Sequence, residues 1–151
     1  MLARRAASLV VQKHARLLTM AAASEAKRPR TDRQGFMQEL YATIDSTPVT
    51  GTPPADAEYM CTHHGSFHCD EALGVGMLKL LPQYARMPLV RTRKTEDIDG
   101  AAIVLDVGGT YDPEAKRFDH HQPEFQDSYD DEHDIRLSSA GLIFKHFGAE
   151  V

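Results

Sequence analysis

Imidazoles and carboxylates gather at three places in this sequence. His63, His68, Asp70 and Glu71 fall within nine positions of the segment Thr62-His63-His64-Gly65-Ser66-Phe67-His68-Cys69-Asp70-Glu71. Asp106 follows the apolar run Ala101-Ala102-Ile103-Val104-Leu105, and Asp119, His120 and His121 are consecutive. Neutral imidazole ligates metals and moves protons near neutral pH, and carboxylates favour hard divalent cations. A His/Asp mixture with no thiolate cluster suits Mn²⁺, Mg²⁺ or Zn²⁺ rather than an iron–sulfur centre. Gly65 permits a tight turn that would return His63 toward His68 and Asp70. His120 and His121 point in different directions, so one can take a metal while the other faces substrate, with Asp119 orienting a ring from behind.

Each group also has a plainer use. Asp70 and Glu71 can open a helix, where the macrodipole favours negative charge. Asp106 can close a turn onto backbone amides, although a carboxylate directly after a buried strand is costly unless solvated, paired or metal-bound. A His-His pair can be a solvated loop. His64 and His133 read as surface residues, and His146 as a helix-surface or core-edge residue. Phe67, Phe118 and Phe125 read as core by the usual burial of phenylalanine. Cys61 should be buried in a strand and Cys69 should open a helix; their spacing is not that of a structural zinc motif.

These side chains need elements to hold them. Tyr59 to Thr62 reads as a short buried strand. Asp70 to Leu81 reads as a helix, with Leu73, Met77, Leu80 and Leu81 on one face and Pro82 as its stop. Pro88 to Thr92 and Ala101 to Leu105 read as further strands; the second is continuous and apolar, as when both faces are covered. Ser138 to Phe147 reads as a helix capped by Ser138, with Gly148 just past its end. The order strand, helix, strand, strand, helix predicts an α/β fold with a parallel sheet and flanking helices. His63 and Asp106 then follow directly on strands, at the rim where open α/β sheets bind ligands.

The chain has 151 residues and a net charge of -5. Residues 1–24 carry Arg4, Arg5, Lys13 and Arg16 and no acid, while residues 59–151 hold nine basic and sixteen acidic residues and seven of the eight histidines. An acidic, His-rich stretch suits metal binding better than a direct electrostatic grip on nucleic acid. Residues 1–30 read as a targeting segment, disordered or helical. Its Ala/Leu/Arg composition is that of a mitochondrial transit peptide, and Lys27-Arg28-Pro29-Arg30 is a candidate nuclear import signal. Residues 31–57 read as a linker with a short helix over 36–44. No apolar run is long enough to span a membrane, and the two cysteines are too few for a disulfide framework. Nothing in the sequence speaks to oligomeric state.

The blocks THHGSFHCDEAL (62–73), VLDVGGTYD (104–112), RFDHHQPEF (117–125) and LSSAGLIFKHFG (137–148) resemble the DHH phosphoesterase superfamily. They are closest to its melanocyte-proliferating-gene branch, 3′–5′ RNA exonucleases of nucleus and mitochondrion. The resemblance covers residues 58–151. It implies a two-metal, Mn²⁺-dependent phosphodiester hydrolase with RNA as substrate. His63, His68 and Asp70 would match the first motif, His68 standing where many members have aspartate. Asp106 would bridge both metals, and His120 would be a ligand. Asp119 and His121 would be catalytic, His121 beside the scissile phosphate. The superfamily's fourth motif and substrate-holding second domain should lie beyond residue 151, so residues 58–151 are expected to be the N-terminal part of an incomplete domain. Three other readings compete: a pyrophosphatase or small-nucleotide phosphoesterase, a mononuclear zinc hydrolase, and an inactive fragment that only binds metal or a partner.

Overall fold

The structure, a computed structural model, describes residues 33–151. The targeting signals expected over residues 1–30 lie outside the described residues. Helix α1 (Arg33–Asp45) precedes a two-residue strand β1 (Val49–Thr50). Then come β2 (Met60–Thr62), helix α2 (Cys69–Lys79), β3 (Leu89–Arg91), helix α3 (Thr95–Asp99), β4 (Ile103–Leu105), β5 (Tyr111–Asp112), β6 (Arg117–Phe118) and helix α4 (Ser139–Phe147). The six strands form one sheet in the order β1-β3-β2-β4-β6-β5. All neighbours are parallel except β5 and β6, which are antiparallel. The α/β class is as expected; the β5–β6 hairpin and the edge strand β1 are additions. Within the stretch read as a linker, α1 runs longer than 36–44, and Val49 pairs with Leu89.

The alternation of strand side chains sorts the core onto two faces. Met60, Ile103, Leu105 and Phe118 point to one face and pack with Leu78 and Leu81, and with Leu142 and Ile143 of α4. Cys61, Val90 and Val104 point to the other and pack with Ala101, Val107 and Ile98. The helices α2 and α4 therefore share one face of the sheet, and α3 lies toward the second.

The buried face of α2 differs from the expected one. Leu73 is 55% exposed and Leu80 38%, while Glu71, Gly74 and Leu78 are buried. A glycine explains the rotation. A Cβ at Gly74 would stand 2.7 Å from Leu105 Cδ1 and 3.6 Å from Ala140 Cα. The helix approaches β4 and α4 at its smallest residue, so its contact face is centred there rather than on the row of large apolar side chains. Ser138 caps α4 as expected, its hydroxyl accepting from the Gly141 amide. Gly148 ends α4 with φ -60, so it is not in the left-handed conformation.

The connections set the position of the site. From β2 the chain passes through α2 to β3 on one side; from β4 it passes to β6 on the other. β2 and β4 are neighbours whose exits diverge, which opens a crevice beyond their carboxyl ends. Among the described residues no helix is long and apolar enough to cross a membrane.

Candidate metal centre

Four adjacent parallel strands deliver their next residues to this crevice. His63 follows β2, Asp106 follows β4, Asp119-His120-His121 follow β6, and Arg93 lies just past β3. Leu105 pairs with Phe118, so Asp106 and Asp119 leave the sheet side by side. The amide of Asp106 donates to the Phe118 carbonyl at 3.2 Å. Asp106 has φ 57 and Gly108 and Gly109 have φ 97 and 66, so the chain turns sharply as it leaves β4. Left-handed backbone at a non-glycine residue is uncommon, though aspartate tolerates it better than most. The turn aims the Asp106 carboxylate into a cleft of about 350 Å³ lined by His63, His68, Arg93, Asp119 and His121, among others.

Two groups of candidate ligands meet there. His63, His68, Glu71 and Asp106 form one, with ligand atoms within 4.8 Å of one another; Asp106, Asp119, His120 and His121 form the other by the same measure. Asp106 belongs to both.

The first group has the donors to hold a cation. His63 is buried, and its Nδ1 donates to the His64 carbonyl at 3.1 Å. That fixes the lone pair on Nε2, which is buried and has no hydrogen-bond partner. Nε2 faces Asp106 Oδ2 at 3.4 Å and Glu71 Oε1 at 3.4 Å. Glu71 is already held by the His68 amide at 2.8 Å and has Arg91 3.6 Å from Oε1, so the unmet acceptor here is the buried Nε2 of His63. The donor set of imidazole and carboxylate fits Mn²⁺, Mg²⁺ or Zn²⁺. Burial raises the Asp106 pKa, nearby Asp70 adds to it, and the Ser139 hydroxyl, His121 and His120 oppose it.

The second group is held from behind. Asp119 is buried and accepts from the Gly109 amide at 2.6 Å and from His121 Nδ1 at 2.6 Å. Since a carboxylate only accepts, Nδ1 of His121 carries the proton, and Nε2 is left to act. The rings of His120 and His121 do not diverge as expected but stack at 4.3 Å, both with Nδ1 near Asp106 Oδ1, at 3.6 and 3.7 Å. His120 Nδ1 lies 2.9 Å from Ser139 Oγ, which also reaches Asp106 Oδ1 at 3.1 Å.

Of the seven residues singled out from the sequence, six fall into these groups and Asp70 falls into neither. Its carboxylate accepts from the Ser138 hydroxyl at 2.7 Å and from the amides of Ser139 and Ala140 at 3.1 and 2.6 Å, tying the start of α2 to the start of α4. It keeps one approach to the site, 3.5 Å from His120 Nδ1. Glu71 takes the place in the first group. The first turn of α2 holds both acids, and only the helix phase decides which faces the sheet. Ser139 gave no sequence signal beyond standing next to a cap. Phe118 and Phe125 are core, as expected, but Phe67 is 68% exposed.

Residues 59–151 match the family model MYG1_exonuc, described as an uncharacterised protein family. The chain belongs to this family. The resemblance to the melanocyte-proliferating-gene branch is thus upheld over the part of the chain where it was expected. Relatives include the MYG1 protein of Dictyostelium discoideum, 51% identical over 61% of this chain and 28% of its own length. The MYG1 exonuclease of Mus musculus is 46% identical over 60% of this chain and 25% of its own length. That of Homo sapiens is 49% identical over 58% and 24%. The chain thus spans about a quarter of the length of the curated relatives it matches. No solved structure gave a significant match. The matched region contains every residue of both ligand groups.

Proposed function

We propose that the chain holds the metal centre of a metal-dependent phosphodiester hydrolase that degrades RNA from its 3′ end. The observation that carries this reading is Asp106, shared by two ligand groups, with the orphaned Nε2 of His63 beside it. The relatives from mouse, cattle and human named MYG1 exonuclease support it. His63, His68, Glu71 and Asp106 would hold one divalent cation, and Asp106, Asp119 and His120 the second, with Asp70 next to His120. Mn²⁺ is our choice, and Mg²⁺ or Zn²⁺ the alternatives. Bound there, such cations supply an acidified water and neutralise charge on phosphoryl oxygens.

The chain's own groups do the rest. Asp119 holds His121 in the tautomer whose Nε2 faces outward, and His121 is the most exposed member of its group. From that position Nε2 can hold a proton for the departing oxygen. Arg93, without a hydrogen bond or ion pair among the described residues, can meet a non-bridging phosphate oxygen. Ser139 keeps Asp106 and His120 in register. We assign the protein to mitochondrion and nucleus from the composition of residues 1–30.

Timed digestion of end-labelled RNA by the full-length protein tests the reading. Shortening from the 3′ end should require Mn²⁺, stop with chelator, and fall at least about 1000-fold in Asp106→Ala, the scale at which a catalytic metal site is lost. Manganese-dependent digestion that survives in that variant rejects the assignment. Faster turnover of pyrophosphate than of RNA would reassign the substrate to a small phosphoanhydride.

A further inference from the structure

Adjacent in sequence to the cleft-lining His68 is an aromatic ring that the metal chemistry does not use. Phe67 stands next to His68, and 68% of it is exposed. Exposed phenylalanine on a short loop usually folds back onto apolar neighbours. This one is instead held open by Arg91, whose guanidinium carbon lies 3.7 Å from the ring centroid. Arg91 is itself fixed, 3.6 Å from Glu71 Oε1, an oxygen that also faces His63. An unbroken chain of contacts thus runs from the ring through Arg91 and Glu71 to the metal centre. The guanidinium covers one face of Phe67, and most of the residue stays exposed.

Arg93 lies two residues beyond Arg91. Strand β3 ends at Arg91, so Arg93 stands just beyond the sheet. Thr92 between them is buried. Arg93 lines the cleft and has no partner among the described residues. An exposed aromatic ring stacked on Arg91, with a free cation two residues further along the chain, suits the base and the phosphate of one nucleotide.

We propose that Phe67 is the base-stacking platform of the site, backed by Arg91, with Arg93 taking the phosphate of the same nucleotide. This rests on the phosphodiester reading above and deepens it: it makes the substrate a nucleotide unit rather than an inorganic phosphate. Stacking on an aromatic face is tolerant of base identity, so the platform would grip any terminal nucleotide.

The sequence has no tryptophan, so Phe67→Trp makes a single fluorescent reporter. With Mn²⁺ present, adenosine monophosphate should quench that fluorescence, and pyrophosphate should not. In calorimetry, Phe67→Ala should weaken adenosine monophosphate binding by roughly 5- to 100-fold, the range found for losing one stacked base. It should leave pyrophosphate binding unchanged, and Phe67→Tyr should restore the nucleotide affinity. Equal nucleotide affinity in wild type and Phe67→Ala overturns the platform while the metal reading stands, provided pyrophosphate still binds. Failure of both ligands to bind the manganese-loaded wild type overturns the metal reading, and the platform with it.

Discussion

Ser139 shows how much a site depends on a residue that never touches substrate. It is fully buried, and its hydroxyl spans His120 Nδ1 and Asp106 Oδ1 while its amide reaches Asp70. Residues that orient ligands from behind typically change metal affinity by 10- to 100-fold when removed. Ser139→Ala should therefore weaken Mn²⁺ binding by about that factor, measured by calorimetry. Its melting temperature in chelator, measured alongside, reads the separate cost of leaving Asp106 Oδ1 without that hydroxyl.

Cys61 makes a different contribution, one visible in the pH dependence of stability. Burial pushes its thiol from 9.0 up to about 12, with Asp97 adding to the rise. The unfolded thiol thus loses its proton first. The folded state holds more protons than the unfolded state between those values, so this contribution is complete below pH 9 and is lost as pH climbs toward 12. Lys79 works in the opposite sense from lower pH, since burial lowers its ammonium to about 8. Urea titrations at pH 8 and pH 10 should show stability shifting more favourably with rising pH in Cys61→Ala than in wild type, since the alanine variant keeps the Lys79 gain and loses the Cys61 penalty.

At the scale of elements, two glycines on one helix have opposite meanings. Gly74 sits where α2 meets β4 and α4, while a Cβ at Gly76 would meet nothing within 4 Å. Gly74→Val overpacks a close approach and should cost about 1–3 kcal/mol. Gly76→Ala adds helix propensity in open space and should gain up to about 1 kcal/mol. Denaturant midpoints of the two variants check both signs.

The same helix marks where sequence reading succeeded and where it stopped. Its existence and start were legible from periodicity, because propensity is local, although it ends at Lys79, two residues before the expected Leu81. Its buried face was not, because the packing contact is a missing side chain, and periodicity registers only the side chains present. The turn of α2 also shapes the site: Glu71 meets His63, while Asp70 approaches His120 at 3.5 Å. The long apolar strand before Asp106 was plain, whereas β1, β5 and β6 have two residues each and leave no pattern to detect. Phe67 was read as core from average behaviour, and only the neighbouring guanidinium explains its exposure.

At the scale of the molecule, parallel neighbours β3, β2, β4 and β6 place residues distant in sequence at one end of the sheet. Carboxylates gathered there repel one another in part, Asp70 raising the Asp106 pKa, with Arg91 beside Glu71 as an offset. A bound cation relieves this and also stabilises by mass action, by about 2.7 kcal/mol at a hundredfold excess over the dissociation constant. Mn²⁺ should raise the melting temperature of the 151-residue chain, and Asp106→Ala should abolish the rise. A scanning fluorimetry series in Mn²⁺ and in chelator reads both. An unchanged wild-type melting temperature at saturating metal would contradict the prediction.

The backbone at position 106 also limits what descent can do to this protein. With φ at 57, the turn after β4 admits glycine, asparagine and aspartate with least strain, and resists β-branched replacements. Glutamate would keep the charge yet carry it one carbon beyond its neighbours. A lineage that abandons the chemistry while keeping the architecture thus has two easy exits, asparagine or glycine. Duplicated copies that have fallen silent should bear one of those two residues at this corner and still fold.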